Sequence, residues 1–448
     1  MNHTSLIRPL GSIESRMAVM HELAGNTQTT SVVDLDVMLD QARLKIAVDL
    51  WLQTFEILSS RLVTTKSSFE LHKTHHEAES IFSKITLSDN YDLSHATTVC
   101  LNSLLLANKA LVAVVLLEDA KKQCSHIALT FHHSIVDGLS IATLVESLLG
   151  YYQTGVNSLA RNKQTVAPAL EQFLSLQEKG VTEKKLLKTV TNETSIASKE
   201  TPDDLPVELI VPQWKVEESV EISRRSSAYL ETCFDHQTML QLKVVSKELN
   251  STLNTLLTYA FCRAIAELQQ RNSISCLTAV SLRNRVQAGI NDDVIGCYIK
   301  VLPHTVSVST SLNLFIDSYQ QKLSSSAQQL TSVQDDISLA LLRQRAKSLQ
   351  RIKAFSHDVA MTNHGQLNLM QDYENFSIVG YRNLANRNGG NFAIALHIAS
   401  LDHQMSCAFT YSIPLLNTQT AEKIQVLFEQ NIKRILSKKH GVKYEKAI

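Results

Sequence analysis

The sequence predicts an α/β or α+β protein of two lobes, each a mixed sheet with helices. A chain of 448 residues is too long for a single hydrophobic core, and two domains of about 200 residues each are expected. Both halves of the chain mix strand-like and helix-like hydrophobic patterns. Between them, residues from about 154 to 212 are polar and include four of the seven prolines. We therefore expect an N-terminal lobe at 1–175, an interdomain connection at 176–212 and a C-terminal lobe at 213–448.

The first half begins with a strand and a helix. Residues 29–35 form an apolar, β-branched run typical of a strand. Asp36 is positioned as the N-cap of a following helix, whose apolar residues recur at helical spacing as Leu39, Ala42, Ile46 and Leu50. A polar stretch with His72, His75 and His76 comes next, and we expect it on the surface.

Two further strands and a helix complete the first half. The β-rich runs 109–118 and 126–133 are joined by the polar residues 119–123, which indicate a turn. After Gly138, apolar residues recur at three- and four-residue steps, as on the buried face of a helix: Ile141, Leu144, Val145, Leu148, Leu149 and Tyr152. One short helix at 170–177 is expected before the connection.

The second half alternates strands and helices. A strand is expected at 227–234, then helices at 237–248 and from Ser251. Further predicted elements are strands at 274–282 and 294–308, a mostly helical stretch at 312–348, several short strands between 358 and 411, and a last helix at 420–436.

Composition excludes several classes of protein. Lys plus Arg and Asp plus Glu number 43 each, so the formal charge is zero and a nucleic-acid binder, which needs a basic excess, is not expected. No stretch has the roughly 20 apolar residues of a membrane span, and residues 1–25 lack the apolar core of a secretory signal. The seven cysteines are scattered without a Cys-x-x-Cys pair, which favours a reducing, cytoplasmic location over a disulfide framework. We expect a monomer.

The most informative segment is the heptapeptide His132-His133-Ser134-Ile135-Val136-Asp137-Gly138, where an apolar run ends and a helix begins. A strand-to-helix junction holds a histidine rigidly while leaving it open to a cavity, as a general base requires. Strand alternation places Ile127, Leu129, Phe131 and His133 on one face and His132 on the other. The two histidines are therefore not expected to bind one metal ion together.

This heptapeptide resembles the His-His-x-x-x-Asp-Gly signature of the chloramphenicol acetyltransferase-like, CoA-dependent acyltransferases, which include condensation domains and polyketide-associated acyltransferases. Three other segments are similar to parts of that superfamily: Arg8-Pro9-Leu10-Gly11, Ser281-Leu282-Arg283 with Gly296, and Met361-Thr362-Asn363-His364-Gly365. Phe55-Glu56 replaces a frequent His-Pro, and the Asp-Phe-Gly-Trp-Gly motif of the plant-type enzymes is absent, which disfavours that subfamily.

The resemblance implies two acetyltransferase-like lobes with a tunnel between them, and it assigns roles to residues. His133 would be the general base, while Asp137 would turn away and pair with Arg283 as a structural brace, with His132 and Gly138 also supporting. Ser140 is a candidate oxyanion donor or a local helix cap, and Asn363 a candidate substrate contact or a turn residue. His364 and His397 are treated as structural.

The implied activity is transfer of an acyl group from a thioester to a hydroxyl acceptor, in secondary or lipid metabolism. The donor would be acyl-coenzyme A or an acyl-carrier protein, so phosphopantetheine would carry the acyl group and no permanent cofactor or metal is expected. A free-standing condensation enzyme that forms an amide from an amine acceptor is an alternative, and so is a non-catalytic carrier-binding protein.

Two other clusters have weaker functional interpretations. A metal-dependent hydrolase could use His72, His75 and His76 with Glu77 and Glu79, although the set matches no metalloenzyme motif. The densest basic run could meet coenzyme A phosphates or an acidic carrier protein, or be a solvated helix face; it comprises Arg343, Arg345, Lys347, Arg351 and Lys353.

Overall fold

The structure is a computed structural model that describes residues 6–155, 163–173, 213–286, 289–308, 311–328 and 338–437. The predicted connection at 176–212 lies outside the described residues, as does the end of the helix predicted at 170–177. Within the described ranges, no helix combines the length and the apolar character needed to cross a bilayer.

Among its described residues the first half contains seven strands, five complete α-helices and the helical residues 170–173, where the helix predicted at 170–177 begins. The strands are β1 (Leu6–Pro9), β2 (Gln28–Leu35), β3 (Ser60–Thr64), β4 (Phe69–Lys73), β5 (Phe82–Thr86), β6 (Val112–Asp119) and β7 (Cys124–His132). The helices are α1 (Ser12–Ala24), α2 (Gln41–Thr54), α3 (Ala78–Ile81), α4 (Leu93–Asn102) and α5 (Gly138–Thr154).

The second half, as far as it is described, repeats this mixture. Its strands are β8 (Ser226–Asp235), β9 (Ser273–Ser281), β10 (Ile299–Ser307), β11 (His357–Gln366), β12 (Ile378–Ala385), β13 (Phe392–Ser400) and β14 (Gln404–Ile413). Its helices are α6 (His236–Glu248), α7 (Leu253–Gln269), α8 (Leu312–Gln328), α9 (Leu339–Lys347) and α10 (Thr418–Ser437).

The sheet of the first half has five strands in the order β12-β2-β7-β6-β5. One face of β7 contributes Ile127, Leu129 and Phe131 to the same core as α2 and α5, and the rings of Phe131 and Trp51 meet edge to face at 5.9 Å. On the other face, Ala128 packs with residues of α4. Both faces of β7 are therefore covered, as its nearly continuous burial requires.

The sheet of the second half has six strands in the order β10-β9-β11-β13-β14-β8. Its core lies against α7 and α10, where Phe261, Phe409 and Phe428 pack with centroid separations of 5.3 to 6.4 Å. Alternation along the strands turns the residues between these core positions toward the opposite face. A separate three-stranded sheet has the order β1-β4-β3.

One strand joins the two halves of the chain. β12 belongs to the second half by sequence, yet it pairs antiparallel with β2 along Ile378–Ala385. From β12, Arg382 donates to Asp34 on β2 at 2.5 Å and to Glu231 on β8 at 2.8 Å. Both sheets are thus fastened by the same strand, which the sequence pattern did not predict. A boundary at 176–212 therefore assigns β12 to the C-terminal lobe, although β12 completes the sheet of the N-terminal lobe.

Most predicted elements are present, and three predictions are wrong in detail. The N-cap of α2 is Asp40, whose Oδ1 accepts from Arg43 N at 2.7 Å, while Asp36 instead accepts from Ser377 N. The strand predicted at 294–308 begins only at Ile299. The stretch predicted as helical at 312–348 contains α8 and α9 as separate helices.

Candidate active site

His133 lies immediately after β7, where the chain leaves the sheet for α5. Its backbone N–H donates to Thr27 O at 2.9 Å, and its Nδ1–H donates to Val136 O at 2.9 Å. A carbonyl only accepts, so Nδ1 must carry the proton and Nε2 the lone pair. Nε2 has no hydrogen bond to any described residue. The side chain is half-buried, and Nε2 is its unprotonated nitrogen.

The electrostatic surroundings favour the neutral form of His133. Burial lowers the pKa of its imidazole from the ordinary 6.5, the hydrogen bond to Val136 O opposes that shift, and the charge of Arg387 adds to it. At neutral pH the ring is therefore mostly unprotonated. This is the state that a general base needs before it accepts a proton.

His132 faces the opposite side of the sheet. Its Nδ1 accepts from the Ser134 hydroxyl at 2.7 Å, and its ring lies 4.4 Å from that of His21. Burial, followed by the neighbouring His21 and His133, holds its pKa well below 6.5. The two adjacent histidines thus occupy separate environments, and His132 is fully enclosed.

Asp137 and Arg283 form a buried ion pair between the two halves. Arg283 Nη2 donates to Oδ1 at 3.0 Å and Nε donates to Oδ2 at 3.1 Å. Ser140 N donates to Oδ1 at 2.8 Å, so Asp137 also caps α5, and Tyr298 N donates to Oδ2 at 3.2 Å. Four N–H donors use both carboxylate oxygens. This pairing is the one that the resemblance implied, and it leaves Asp137 occupied away from His133.

Ser140 does not fit the role of oxyanion donor that was one of its expected roles. Its hydroxyl donates to Gly296 O at 2.9 Å, and it accepts from Arg283 Nη2 at 2.9 Å and Gly296 N at 3.0 Å. One donor and two acceptor positions are all that a hydroxyl has. Ser140 therefore ties α5 to the second half, and it has no proton left for a substrate.

Asn363 lies on β11 next to a turn. Its Oδ1 accepts from Gly365 N at 2.8 Å, where Gly365 has a φ of +70°, and its Nδ2 donates to Asn254 at 3.2 Å. The amide thus serves the turn, which was the alternative role expected for it. One amide hydrogen remains, so contact with substrate stays a prediction.

His364 comes closer to the heptapeptide than the sequence suggested. Its ring packs against Gly138 so tightly that a Cβ on that glycine would lie 1.9 Å from Nδ1. Burial, with the nearby His133, lowers its pKa to about 4, and its buried Nε2 has no hydrogen-bond partner among the described residues. A second neutral histidine, from the other half of the chain, therefore stands beside the candidate base.

Two more residues belong to this cluster. His397 is paired in register with Thr362 on β11, so alternation places it on the same sheet face as His364, and its Nε2 lies 3.0 Å from Thr410 Oγ1. Arg387, in the loop between β12 and β13, was not singled out from the sequence. A lone arginine in a polar loop carries no pattern that marks it as part of a site.

The alternative metal site is not assembled. Within the part of the chain that is described, His72, His75 and His76 do not bring their ligand atoms within 4.8 Å of one another, whereas Asp119, Cys124 and His126 do. His72 instead contacts Glu70 at 2.8 Å, and His75 and His76 border an open surface cavity of about 550 Å³. In the basic run, Arg343 approaches Glu22 at 3.5 Å and Arg351 approaches Glu221 at 3.4 Å, which favours the solvated-face interpretation.

Comparisons with known proteins agree with this architecture. Solved structures with the same fold include polyketide synthase associated protein 5 from Mycobacterium tuberculosis, 16% identical with a TM-score of 0.64 over 96% of this chain and 99% of that one. The first condensation domain of the calcium-dependent antibiotic synthetase, with a bound substrate analogue, is 13% identical with a TM-score of 0.65 over 97% and 96%. The epimerization domain from the third module of tyrocidine synthetase B is 13% identical with a TM-score of 0.63 over 97% of each chain.

At these identities the likeness establishes the fold of two acetyltransferase-like lobes and not the reaction. No curated protein matches the sequence. The family model for the condensation domain matches residues 7–445. Members of that family form amide or ester bonds between substrates held as thioesters on phosphopantetheine carriers, and they need no permanent cofactor. The chain belongs to the condensation-domain family.

Proposed function

We propose that this protein transfers an acyl group from a phosphopantetheine thioester, on coenzyme A or a carrier protein, to a hydroxyl acceptor, with His133 as the general base. The observation that carries the proposal is the hydrogen bond from Nδ1–H to Val136 O at 2.9 Å, with Nε2 unbonded. It fixes the tautomer that has its lone pair free. The lowered pKa keeps that lone pair available near neutral pH.

In the proposed reaction, Nε2 of His133 takes the hydroxyl proton as the acceptor oxygen attacks the thioester carbonyl. The tetrahedral intermediate then collapses, the carbon–sulfur bond breaks, and the imidazolium returns the proton to the leaving thiolate. Donor and acceptor meet in one complex, so no acyl-enzyme is needed. Base catalysis of this kind contributes about 10²- to 10⁴-fold to the rate.

A hydroxyl acceptor is favoured over an amine because a hydroxyl depends more strongly on a general base to remove its proton. A neutral amine attacks a carbonyl before it loses a proton, whereas a hydroxyl is a poor nucleophile until a base removes its proton. A neutral histidine held by one backbone carbonyl therefore matters most for ester formation. Asp137, Arg283, Gly138 and His132 would act by holding the segment around this base.

The test is a product screen with the full chain. Acyl-coenzyme A and an acyl-carrier protein are each incubated with alcohols and with amines, and products are identified by mass spectrometry. We expect esters whose rate of formation falls about 10²- to 10⁴-fold in His133→Ala and is unchanged in His95→Ala, a matched variant of an exposed histidine on α4. If only amides were detected, the acceptor would be an amine and not a hydroxyl. Binding of the carrier protein without any product would support the non-catalytic alternative.

A further inference from the structure

The loop between β12 and β13 is held rigidly beside the segment that carries His133. Asn386 exchanges two hydrogen bonds with Gln28, each 3.1 Å long, and Gly389 N donates to Asn26 Oδ1 at 2.7 Å. Thr27, between those two residues, accepts the backbone N–H of His133. The loop and the candidate base are therefore both fastened to the same three residues, Asn26, Thr27 and Gln28.

Within this rigid loop, the side chain of Arg387 is left without a polar partner. Its backbone N donates to Ser227 Oγ at 2.6 Å, and its guanidinium lies over the ring of Phe392 at 4.8 Å. Its buried Nε has no hydrogen-bond partner, and none of the described residues offers the guanidinium a hydrogen bond or a carboxylate. The backbone of this residue is fixed while its charge is uncompensated.

A neighbouring arginine shows how the fold satisfies such a group when the role is structural. Arg225 donates from Nε and Nη2 to Val220 O, from Nη2 to Gln350 O, and from Nη1 to Asn388 O and Gly389 O, at 2.7 to 3.2 Å. Two of those bonds hold the same loop, at Asn388 and Gly389. Arg387 has no equivalent set, so it contributes nothing comparable to holding the loop.

Arg387 is half-buried with its Nε enclosed, and a charge so placed without a partner is costly unless a ligand of opposite charge completes it. Burial lowers the pKa of Arg387 to about 10, so the guanidinium is still charged at neutral pH. Its charge in turn lowers the pKa of His133 and of His397, which places it in the electrostatic neighbourhood of the candidate base.

We propose that Arg387 binds a carboxylate of the substrate and thereby positions that substrate at His133. The proposal rests on the proposed function, and it narrows the substrate to one that carries a carboxylate on either the acceptor or the acyl chain. A carboxylate fits better than a phosphate because the site offers one cation. His133, His364 and His397 around it are neutral and add no charge. A planar guanidinium matches a carboxylate with two parallel hydrogen bonds.

Binding titrations of matched pairs test this without requiring turnover. N-acetylserine and N-acetylserinamide serve as the acceptor pair, and glutaryl-coenzyme A and pentanoyl-coenzyme A as the donor pair. The full chain should bind the acid of one pair about 10- to 100-fold more tightly than its neutral partner, the range expected of a charge-assisted hydrogen-bonded pair. The pair that shows the preference identifies the substrate that carries the carboxylate.

Variants separate this site from the catalytic proposal. Arg387→Gln should abolish the preference and Arg387→Lys should retain part of it, while Arg224→Gln, at an arginine whose side chain is 72% exposed, should leave it intact. His133→Ala should also keep the preference, because the base is not needed for binding. Equal binding of acid and neutral partner in both pairs, or a preference that survives in Arg387→Gln, would overturn the inference. A preference without turnover would count against the proposed reaction alone.

Discussion

Adjacent residues acquire different chemistry at the end of β7 because the strand turns them to opposite faces. His132 becomes enclosed against His21, and His133 lies in the electrostatic neighbourhood of His364 from the second half of the chain. The hydrogen bond to Val136 O then selects the tautomer of His133. Strand parity was enough to predict this separation from the sequence. Residues from the second half, His364 and Arg387, complete the cluster and could not be predicted, because strand order decides what lies opposite the motif.

The rate of acyl transfer should rise with pH, with its inflection below the ordinary histidine pKa of 6.5. Only neutral His133 accepts a proton, and burial lowers its pKa from 6.5. Activity is therefore full above that lowered pKa and falls as the pH drops through it. A profile of kcat/KM against pH measures this, and Arg387→Gln should move the acidic limb to higher pH by removing a nearby positive charge. An inflection above 6.5 in the unmodified protein would contradict the assignment.

Gly138 should not tolerate a side chain, whereas Gly150 on the same helix should tolerate one. A Cβ at Gly138 would lie 1.9 Å from His364 Nδ1, whereas at Gly150 it would meet nothing within 4 Å. Gly138→Ala should displace His364, cost about 1–3 kcal/mol of unfolding free energy and reduce turnover. Gly150→Ala should instead stabilise the protein by about 0.5–1 kcal/mol. Urea unfolding with parallel activity assays checks both, and equal effects of the two substitutions would refute the contact.

At the scale of elements, the start of α5 depends on more than a helix cap. Asp137 caps the helix and also binds Arg283 in a pair whose side chains are at most 2% exposed. Asp137→Ala leaves that guanidinium buried and unpaired, which costs about 3–5 kcal/mol. Asp92→Ala removes an exposed cap on α4 and should cost about 1 kcal/mol. Chemical denaturation of both variants compares the two, and similar losses would show that the ion pair contributes little.

The elements themselves were largely predictable, because hydrophobic period carries most of the information. The two strands and the helix around the heptapeptide appear where alternation and helical spacing place them. The N-cap of α2 was misplaced because Asp36 and Asp40 are equally good caps by type, and only the backbone course decides between them. The crossing of β12 to the other sheet has no local signal, since its pattern resembles that of any buried strand.

At the scale of the whole molecule, Asp34, Arg382 and Glu231 hold the two sheets together at the end of the β2–β7 pair away from His133. His126 Nδ1 also contacts Asp34 Oδ1 at 2.6 Å. Burial alone would raise the pKa of Asp34, but the hydrogen bond with His126 and the charge of Arg382 outweigh it and lower the pKa below 3.8. The ionised carboxylate therefore stabilises the fold at every pH above the unfolded-state value.

Asp34→Asn should destabilise the protein at neutral pH by about 1–3 kcal/mol, because Arg382 loses one of its two carboxylate partners and keeps Glu231. The difference from the unmodified protein should shrink as the pH falls below 3.8 through the lower folded-state pKa. Asp89→Asn, at a surface pair with Lys121, should change stability by less than about 1 kcal/mol. Unfolding titrations across this pH range measure both. A pH-independent difference for Asp34→Asn would show that the carboxylate is not ionised in this network.

The central claim, that His133 is the base of an acyl transfer, is tested most directly by the single-turnover rate of His133→Ala with the thioester and acceptor that the screen identifies. The account predicts a rate about 10²- to 10⁴-fold below that of the unmodified protein, with an unchanged melting temperature and unchanged donor affinity. A His133→Ala variant that turns over at a near-normal rate would contradict it.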